Sequence, residues 1–467
     1  MSHSHSCLCG RTLAQQGGRD AFGLSKFNSA DLHKMPDYNA ALTIADALVN
    51  DAIWSHDQCT FIGAVAPDEL GLPEKYCSFQ GDVYEGASGI ARLLILANKL
   101  CPKEIYRKTI CGALRFAVNN HEGFSLYSGS MGVGLVALET GYTEFQKTGL
   151  DLVNASLDDA IRSLDIAPAD LLSGVAGVIY GVSQLCKVQP DDSLLNKATI
   201  LADYLVDSGR LECVAGVPHH SWALYPGSDE YLCGLAHGAS GVALALEALA
   251  KHTQKGTQKR TRWLDTAKAA RNFERRWYSA EHGSWADLRR DALDDNNPAS
   301  ASYPHMWCHG SVGVAAERLE ADSSDLLARA DKIAAMEGVL SHVQSLTLRP
   351  RGAAGGDDIN GSQCHGIASF TDLLIDAWSH TQHPDLLELV REATHIVKDD
   401  ARAGEGLRSG VINGPSTPGL MMGDAGIAWA MFRSSFPETV PSCWKIGGLL
   451  GATRLEASEA SDHAIVR

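Results

Sequence analysis

Residues 234–251 read GLAHGASGVALALEALAK, and this stretch decides the fold. Gly238 and Gly241 stand one helical turn apart, and an apolar run follows them at once. Glycine inside a helix costs ~1 kcal/mol against alanine, so a pair at a helix start needs a reason. Without Cβ atoms the pair lets another backbone or a ligand approach closely, and it leaves first-turn N–H groups within reach.

The same pattern recurs along the chain. It appears at Gly86–Gly89, Gly129–Gly132, Gly174–Gly177, Gly310–Gly313 and Gly423–Gly426, and as GIAS at Gly366–Ser369, where serine replaces the second glycine. That makes seven copies whose successive starts lie 43 to 72 residues apart, the signature of a repeat architecture. Each copy opens a segment that is apolar around most of the helical circumference, as in a helix buried on several sides. Before each copy lies an amphipathic segment: Tyr38–Trp54, Glu104–Asn120, Leu150–Leu164, Ser193–Val206, Arg262–Tyr278, Asp325–Leu346 and Pro384–Lys398. Ile44, Leu48 and Ala52 give the spacing of one buried face. Strict alternation predicts an all-α protein, a toroid of seven inner and seven outer helices, with strands confined to connecting loops. The inner helices then all start at one end, so the residues before each glycine pair converge on one mouth. The expected organisation is an N-terminal tail over 1–36, the toroid over 37–433 and a C-terminal extension over 434–467, which at most caps the ring.

Composition agrees with a globular protein. The 467 residues are 45% hydrophobic and 21% charged, which excludes a disordered or collagen-like chain. A net charge of −16 repels phosphate backbones, so neither nucleic acid nor an anionic membrane is an expected partner. The longest uncharged apolar stretches, such as Leu171–Cys186, contain glycine and fall short of a spanning helix, and the N-terminus has no apolar signal region. A cytoplasmic location is therefore expected, where the twelve cysteines are thiols. Cys111 and Cys186, among apolar residues, read as small hydrophobes.

Three neighbouring copies carry chemistry at the mouth: His237 in the fourth, Cys308 and His309 in the fifth, Cys364 and His365 in the sixth. One histidine at a helix start is ordinarily structural, and one cysteine before a glycine is ordinarily filler. Their repetition at equivalent positions points to a metal site. Zinc suits a thiolate and imidazole set, with Cys308, Cys364 and His365 as candidate ligands and His309 as a competitor. Three protein ligands leave a position open, as catalytic zinc sites do. A free thiol of pKa ~8.5 is only a few per cent thiolate at neutral pH, so such a site suits activation of an incoming thiol or of water. His237 is then a general acid or base. Asp170, ahead of the third glycine pair, either orients His237 or is simply a carboxylate favoured at a helix N-terminus.

With these residues in view, the chain resembles the lanthionine synthetase C-like (LanC-like) cyclases. The resemblance covers Tyr38 to Phe432 and rests on AHGxxG at His237, WCHGxxG at Trp307–Gly313, CHG at Cys364–Gly366 and PGLMMGDAGI at Pro418–Ile427. It implies an α/α toroid with Zn²⁺ on Cys308, Cys364 and His365, the acid/base at His237 and a supporting carboxylate at Asp170. It also implies addition of peptide cysteine thiols to dehydroalanine or dehydrobutyrine, closing (methyl)lanthionine rings in a dehydrated precursor peptide. A separate dehydratase is the expected partner, since no such region precedes the toroid. Alternatives are addition of glutathione to dehydroamino acids in proteins, as eukaryotic-type relatives suggest, or a non-catalytic zinc-binding scaffold. Toroids of the prenyltransferase and glycosidase kinds use other residue sets. Where many bacterial cyclases carry Arg and Tyr around the first cysteine, this chain has Pro304 and His309, and His305 and His309 are the candidate replacements, His309 as a third catalytic residue. His3, His5, Cys7 and Cys9 read as a tail rather than a metal site.

Overall fold

The structure, a computed structural model, describes residue 32 and residues 34–450 apart from 66–74, 291–300, 323, 349–359, 403–406 and 412–415. The His/Cys-rich segment 3–9 lies outside the described residues. Amphipathic helices are α1 (Pro36–Asn50), α3 (Glu104–Asn119), α5 (Thr143–Arg162), α7 (Asp192–Ser208), α9 (Gln258–Arg275), α11 (Leu326–Thr347) and α13 (Pro384–Arg402). Alternating with them are α2 (Ala87–Leu100), α4 (Ser130–Glu139), α6 (Val175–Val188), α8 (Ala239–Ala250), α10 (Ser311–Glu320), α12 (Ile367–Thr381) and α14 (Asp424–Ser435). In α8 every residue is buried, and in α4 likewise, whereas α7 buries only Leu194, Ala198, Leu201, Ala202 and Leu205. The even-numbered helices therefore form the inner ring and the odd-numbered ones the outer ring.

Each inner helix touches the next, and α14 returns to α2, so the inner ring is closed. Each inner helix packs against the outer helix that follows it, and α14 against α1 from the start of the described chain. Tyr38 seals that junction edge-on against Phe432 and Phe436, with ring centroids 5.9 and 5.7 Å apart. The toroid expected from the repeat is the fold observed. Several boundaries differ from expectation: α9 starts at Gln258 and ends at Arg275, with Tyr278 in a short strand, and α13 runs on to Arg402. Trp54 lies in a short strand, Ile53–Ser55, since α1 ends at Asn50. Helix α5 starts at Thr143 rather than Leu150, because Gly149 is not a breaker there: it lets α5 lie close against Gly134 of α4. The strands pair as four two-stranded hairpins: Ile53–Ser55 with Gln58–Thr60, Ile62–Val65 with Lys75–Ser78, Arg210–Val214 with Val217–Ser221, and Tyr278–Ser279 with Ser284–Trp285. All lie in connections.

The glycine pairs serve the loop that precedes each helix. In all seven repeats the N–H one residue after the first glycine donates to the carbonyl six residues before it, as in Ala239 to Leu232 (3.1 Å) and Ile367 to Asn360 (2.9 Å). The loop thus folds back on the first turn. A Cβ on Gly241 would meet the Leu235 carbonyl oxygen at 2.3 Å, and one on Gly313 would meet that of Trp307 at 2.2 Å. Close approach is the reason for the pair, but the visitor is the chain's own backbone, and that first-turn N–H is already occupied. In the sixth repeat Ser369 donates its hydroxyl to the Gly366 carbonyl at 2.7 Å.

Residues 436–450 run into the ring at the far end. Trp444 stacks on Tyr180 of α6 with centroids 6.1 Å apart, Arg92 of α2 donates to the Cys443 and Lys445 carbonyls, and the Leu449 N–H donates to Glu139 at the end of α4. Buried charge ties the wall together as well. Arg318 of α10, fully buried, pairs with Glu274 of α9 at 2.8 Å, with Glu317 and with Asp331, and its Nη1 donates to Ser240 Oγ at 3.2 Å. Arg318→Ala leaves Glu274 without its cation in a dry wall, and the expected loss is about 3–5 kcal/mol. Urea unfolding followed by far-UV circular dichroism measures it.

Candidate metal centre

The mouth is built on a closed ring of backbone hydrogen bonds. It joins the residue two positions before the first glycine of every repeat: Tyr84, Tyr127, Leu172, Ala236, Cys308, Cys364 and Met421. Each N–H donates to the carbonyl of the next repeat, at 3.3 Å from Cys308 to Cys364 and 2.9 Å from Cys364 to Met421, and the last closes from Met421 to Tyr84 at 2.8 Å. Cys308 and Cys364 are therefore neighbours in this ring although 56 positions separate them in the chain. His365, one position further, sits on the same loop as Cys364.

The Sγ atoms of Cys308 and Cys364 and a ring nitrogen of His365 lie within 4.8 Å of one another, the one such His/Cys/Asp/Glu group among the described residues. Ligand atoms of a tetrahedral zinc at about 2.0–2.3 Å stand about 3.5–3.8 Å apart, so this spread fits the ion. His365 Nε2 donates to the Gly410 carbonyl at 2.7 Å, which fixes the ring and leaves Nδ1 for the sulfurs. An outer partner of this kind is what metal-ligating histidines ordinarily have. The two thiols are coupled. Hydrogen bonds from Cys364 and His365 hold Cys308 well below the usual thiol range, and Cys364, facing that thiolate, is pushed well above it. The pair so keeps one proton, which a dication must displace.

His237 stands next along the ring. Its Nδ1 lies 2.7 Å from Asp170 Oδ2, while Asp170 Oδ1 accepts the Ser173 N–H at 2.7 Å. Burial alone would push the His237 imidazole down, but the Asp170 hydrogen bond and charge, with the field of Cys308, outweigh it and raise it. The side chain of His237 is 28% exposed and that of Asp170 only 5%, so the engaged edge is inside and Nε2 is left for the mouth. The loop carrying His237 is held from behind by Glu274, whose Oε1 accepts the Gly234 and Ser240 N–H groups, each at 2.9 Å. Asp170→Asn removes the charge and keeps the burial, so the His237 pKa should move from above to below the ordinary histidine value, as NMR titration of that ring would read. The sign for stability follows. With the folded pKa above the unfolded value of ~6.5, the pair stabilises fully below that pH and loses its effect as pH rises through the folded pKa.

His309 is buried, with its ring 6.1 Å from that of His237, and burial pushes its pKa down, which favours the neutral form beside the acid/base pair. His305 turns away from the sulfurs. Its Nδ1 meets Ser311 Oγ at 2.6 Å, its ring stacks on His342 of α11 at 4.4 Å, and burial beside His342 pushes its pKa down to about 4. Two groups escape sequence reading. Arg289, held by Asp287 at 2.6 Å, places a positive charge that lowers His237, His309, His365 and Cys364. Tyr84 donates its hydroxyl to Cys364 Sγ at 2.8 Å, and burial keeps that phenol protonated well above the usual range. Arg289 has no fixed spacing to a glycine pair. Tyr84 does, but an aromatic at that position also occurs at Tyr127, whose hydroxyl goes to the Trp444 carbonyl instead.

A closed double ring of helices with a sulfur and imidazole donor set at one mouth defines an α/α toroid with a candidate metal centre. The sequence pattern of the family described as lanthionine synthetase C-like protein matches residues 78–444, and the chain belongs to that family. Among solved structures it is similar to nisin cyclase, at 16% identity and a TM-score of 0.56, covering 80% of this chain and 93% of that one. Weaker likenesses are the Lin0763 protein from Listeria innocua (13% identity, TM-score 0.41, 81% of this chain and 98% of that one) and an unsaturated glucuronyl hydrolase from Bacillus sp. GL1 (14%, 0.35, 65% and 83%). A search among curated proteins returns no match. No helix among the described residues is long and apolar enough to cross a membrane.

Proposed function

We propose that this protein is a zinc-dependent cyclase that closes (methyl)lanthionine rings in a peptide dehydrated by a separate enzyme. The observation that carries the reading is the convergence of Cys308, Cys364 and His365 within 4.8 Å beside the Asp170–His237 pair, in a chain of this family. Bound zinc supplies the Lewis acidity that keeps an incoming cysteine thiol as its thiolate. The two cysteines and His365 hold the ion, and the Gly410 carbonyl holds His365. Sulfur adds to the β-carbon of the dehydro residue, forming the C–S bond, and the electron pair of the double bond moves to the α-carbon. His237, whose protonated form Asp170 favours, delivers a proton there and is restored from solvent. Arg289 adds positive charge where the electron pair collects. Similarity to nisin cyclase supports the same chemistry.

The test is incubation of a dehydrated, cysteine-containing peptide with the zinc-loaded protein, with and without glutathione. Cyclisation leaves the peptide mass unchanged and consumes one thiol per ring. Glutathione adducts with peptide thiols intact would replace the proposed reaction by intermolecular addition. No loss of thiol under either condition would leave a zinc-binding scaffold.

A further inference from the structure

The two cysteine sulfurs of the donor set are not equivalent. Cys364 Sγ accepts the Tyr84 hydroxyl at 2.8 Å, and the same hydroxyl lies 3.5 Å from Met422 Sδ. No hydroxyl among the described residues donates to Cys308. The phenol is held in place from its own backbone: the Tyr84 carbonyl accepts the Met421 N–H at 2.8 Å, and the Tyr84 N–H donates to Tyr127 at 3.0 Å. Glu85, next in the chain, donates its N–H to Asp82 Oδ1 at 2.9 Å, so the turn itself is pinned. The first repeat thus reaches across the seventh to grip one ligand of the sixth.

We infer that Tyr84 is a positioning residue that makes Cys364 a spectator ligand, weaker as a sulfur donor than the same thiolate without the hydroxyl, once the metal is bound. The inference rests on the zinc reading above. A hydrogen bond to a thiolate is charge-assisted and strong, and it draws electron density from the lone pair that would otherwise go to the metal or to an electrophile. Nucleophilicity of sulfur falls with its basicity. A site that brings an activated alkene up to several sulfurs needs that distinction, because only the incoming thiol is to form the new bond. The hydroxyl supplies it for Cys364, and it fixes the Sγ direction as well.

The experiment uses the full chain loaded with cobalt(II), whose sulfur-to-metal charge-transfer absorption reports the donor strength of the ligating thiolates. Tyr84→Phe should still take up one equivalent of cobalt, with a band moved to lower energy. In competition with a chelator its metal affinity should fall by about 10–100-fold, because the Sγ direction that the hydroxyl fixes is lost, and loss of such an outer-shell restraint outweighs the gain in donor strength. Replacing Tyr84 by a ring-fluorinated tyrosine, a stronger donor with the same shape, should move the band the opposite way. A packing role predicts no such opposition. Wild-type band and affinity in both variants would overturn the inference while leaving the zinc reading intact. Failure of the wild-type chain itself to bind cobalt or zinc would overturn the zinc reading and this inference with it. Should the Phe variant not fold, the fluorinated variant, which keeps the hydroxyl, decides by the sign of its shift.

Discussion

Cys308→Ala is expected to abolish stoichiometric zinc binding and to reduce thiol addition to the level of the unassisted reaction. The replaced side chain is one of three donors, and two protein ligands do not make a catalytic zinc site. Loss of several kcal/mol of Lewis-acid stabilisation corresponds to a fall on the order of 10³-fold in turnover. The fold should survive, because Cys308 takes part in the mouth ring through its backbone N–H and carbonyl, which alanine retains. Metal analysis after dialysis, turnover by thiol titration and far-UV circular dichroism together read the effect. Zinc-free variant protein that turns over at the wild-type rate would remove the metal from the mechanism.

His237→Ala separates proton transfer from metal binding. His237 is not a member of the donor set, so zinc should remain at one equivalent. Turnover should fall by about 10²–10⁴-fold, the usual contribution of a positioned general acid or base. Asp170 loses the imidazole but keeps the Ser173 N–H on its other oxygen, so unfolding should change little by comparison with the loss of rate. Unchanged turnover would show that the proton reaches the α-carbon by another route. Asp170→Asn should give a smaller loss than His237→Ala, because burial then holds the ring neutral but still in place.

Much of this could be read from the chain alone. Seven copies of one motif, six with a glycine pair and one with Gly366 and Ser369, each followed by an all-round apolar segment and preceded by an amphipathic one, fix the number and order of helices, because a 3.6-residue period and the absence of Cβ are local properties. Cys308 and Cys364 stand out for the same reason: both occupy one position in one recurrent turn, and a repeat puts equivalent positions at equivalent places. The backbone hydrogen-bond ring then makes them neighbours. His237 is legible by the same rule.

Other features required the closed ring. Tyr84 precedes Cys364 by 280 positions and meets it only because the seventh repeat docks on the first. Arg289 comes from a connection of irregular length and follows no repeat register. His305, two residues before Trp307, reads as a site residue but belongs to the contact with α11, since the turn directs it to Ser311 and His342. Residues 436–450 carry no periodicity that would announce their place among α2, α4 and α6. What the sequence determined by itself is the repeating unit and the two residue positions in it that carry donor atoms. Which donors meet, which side chain restrains each, and what fills the far end were decided by ring closure, which sets contacts between residues whose separation along the chain has no period to reveal them.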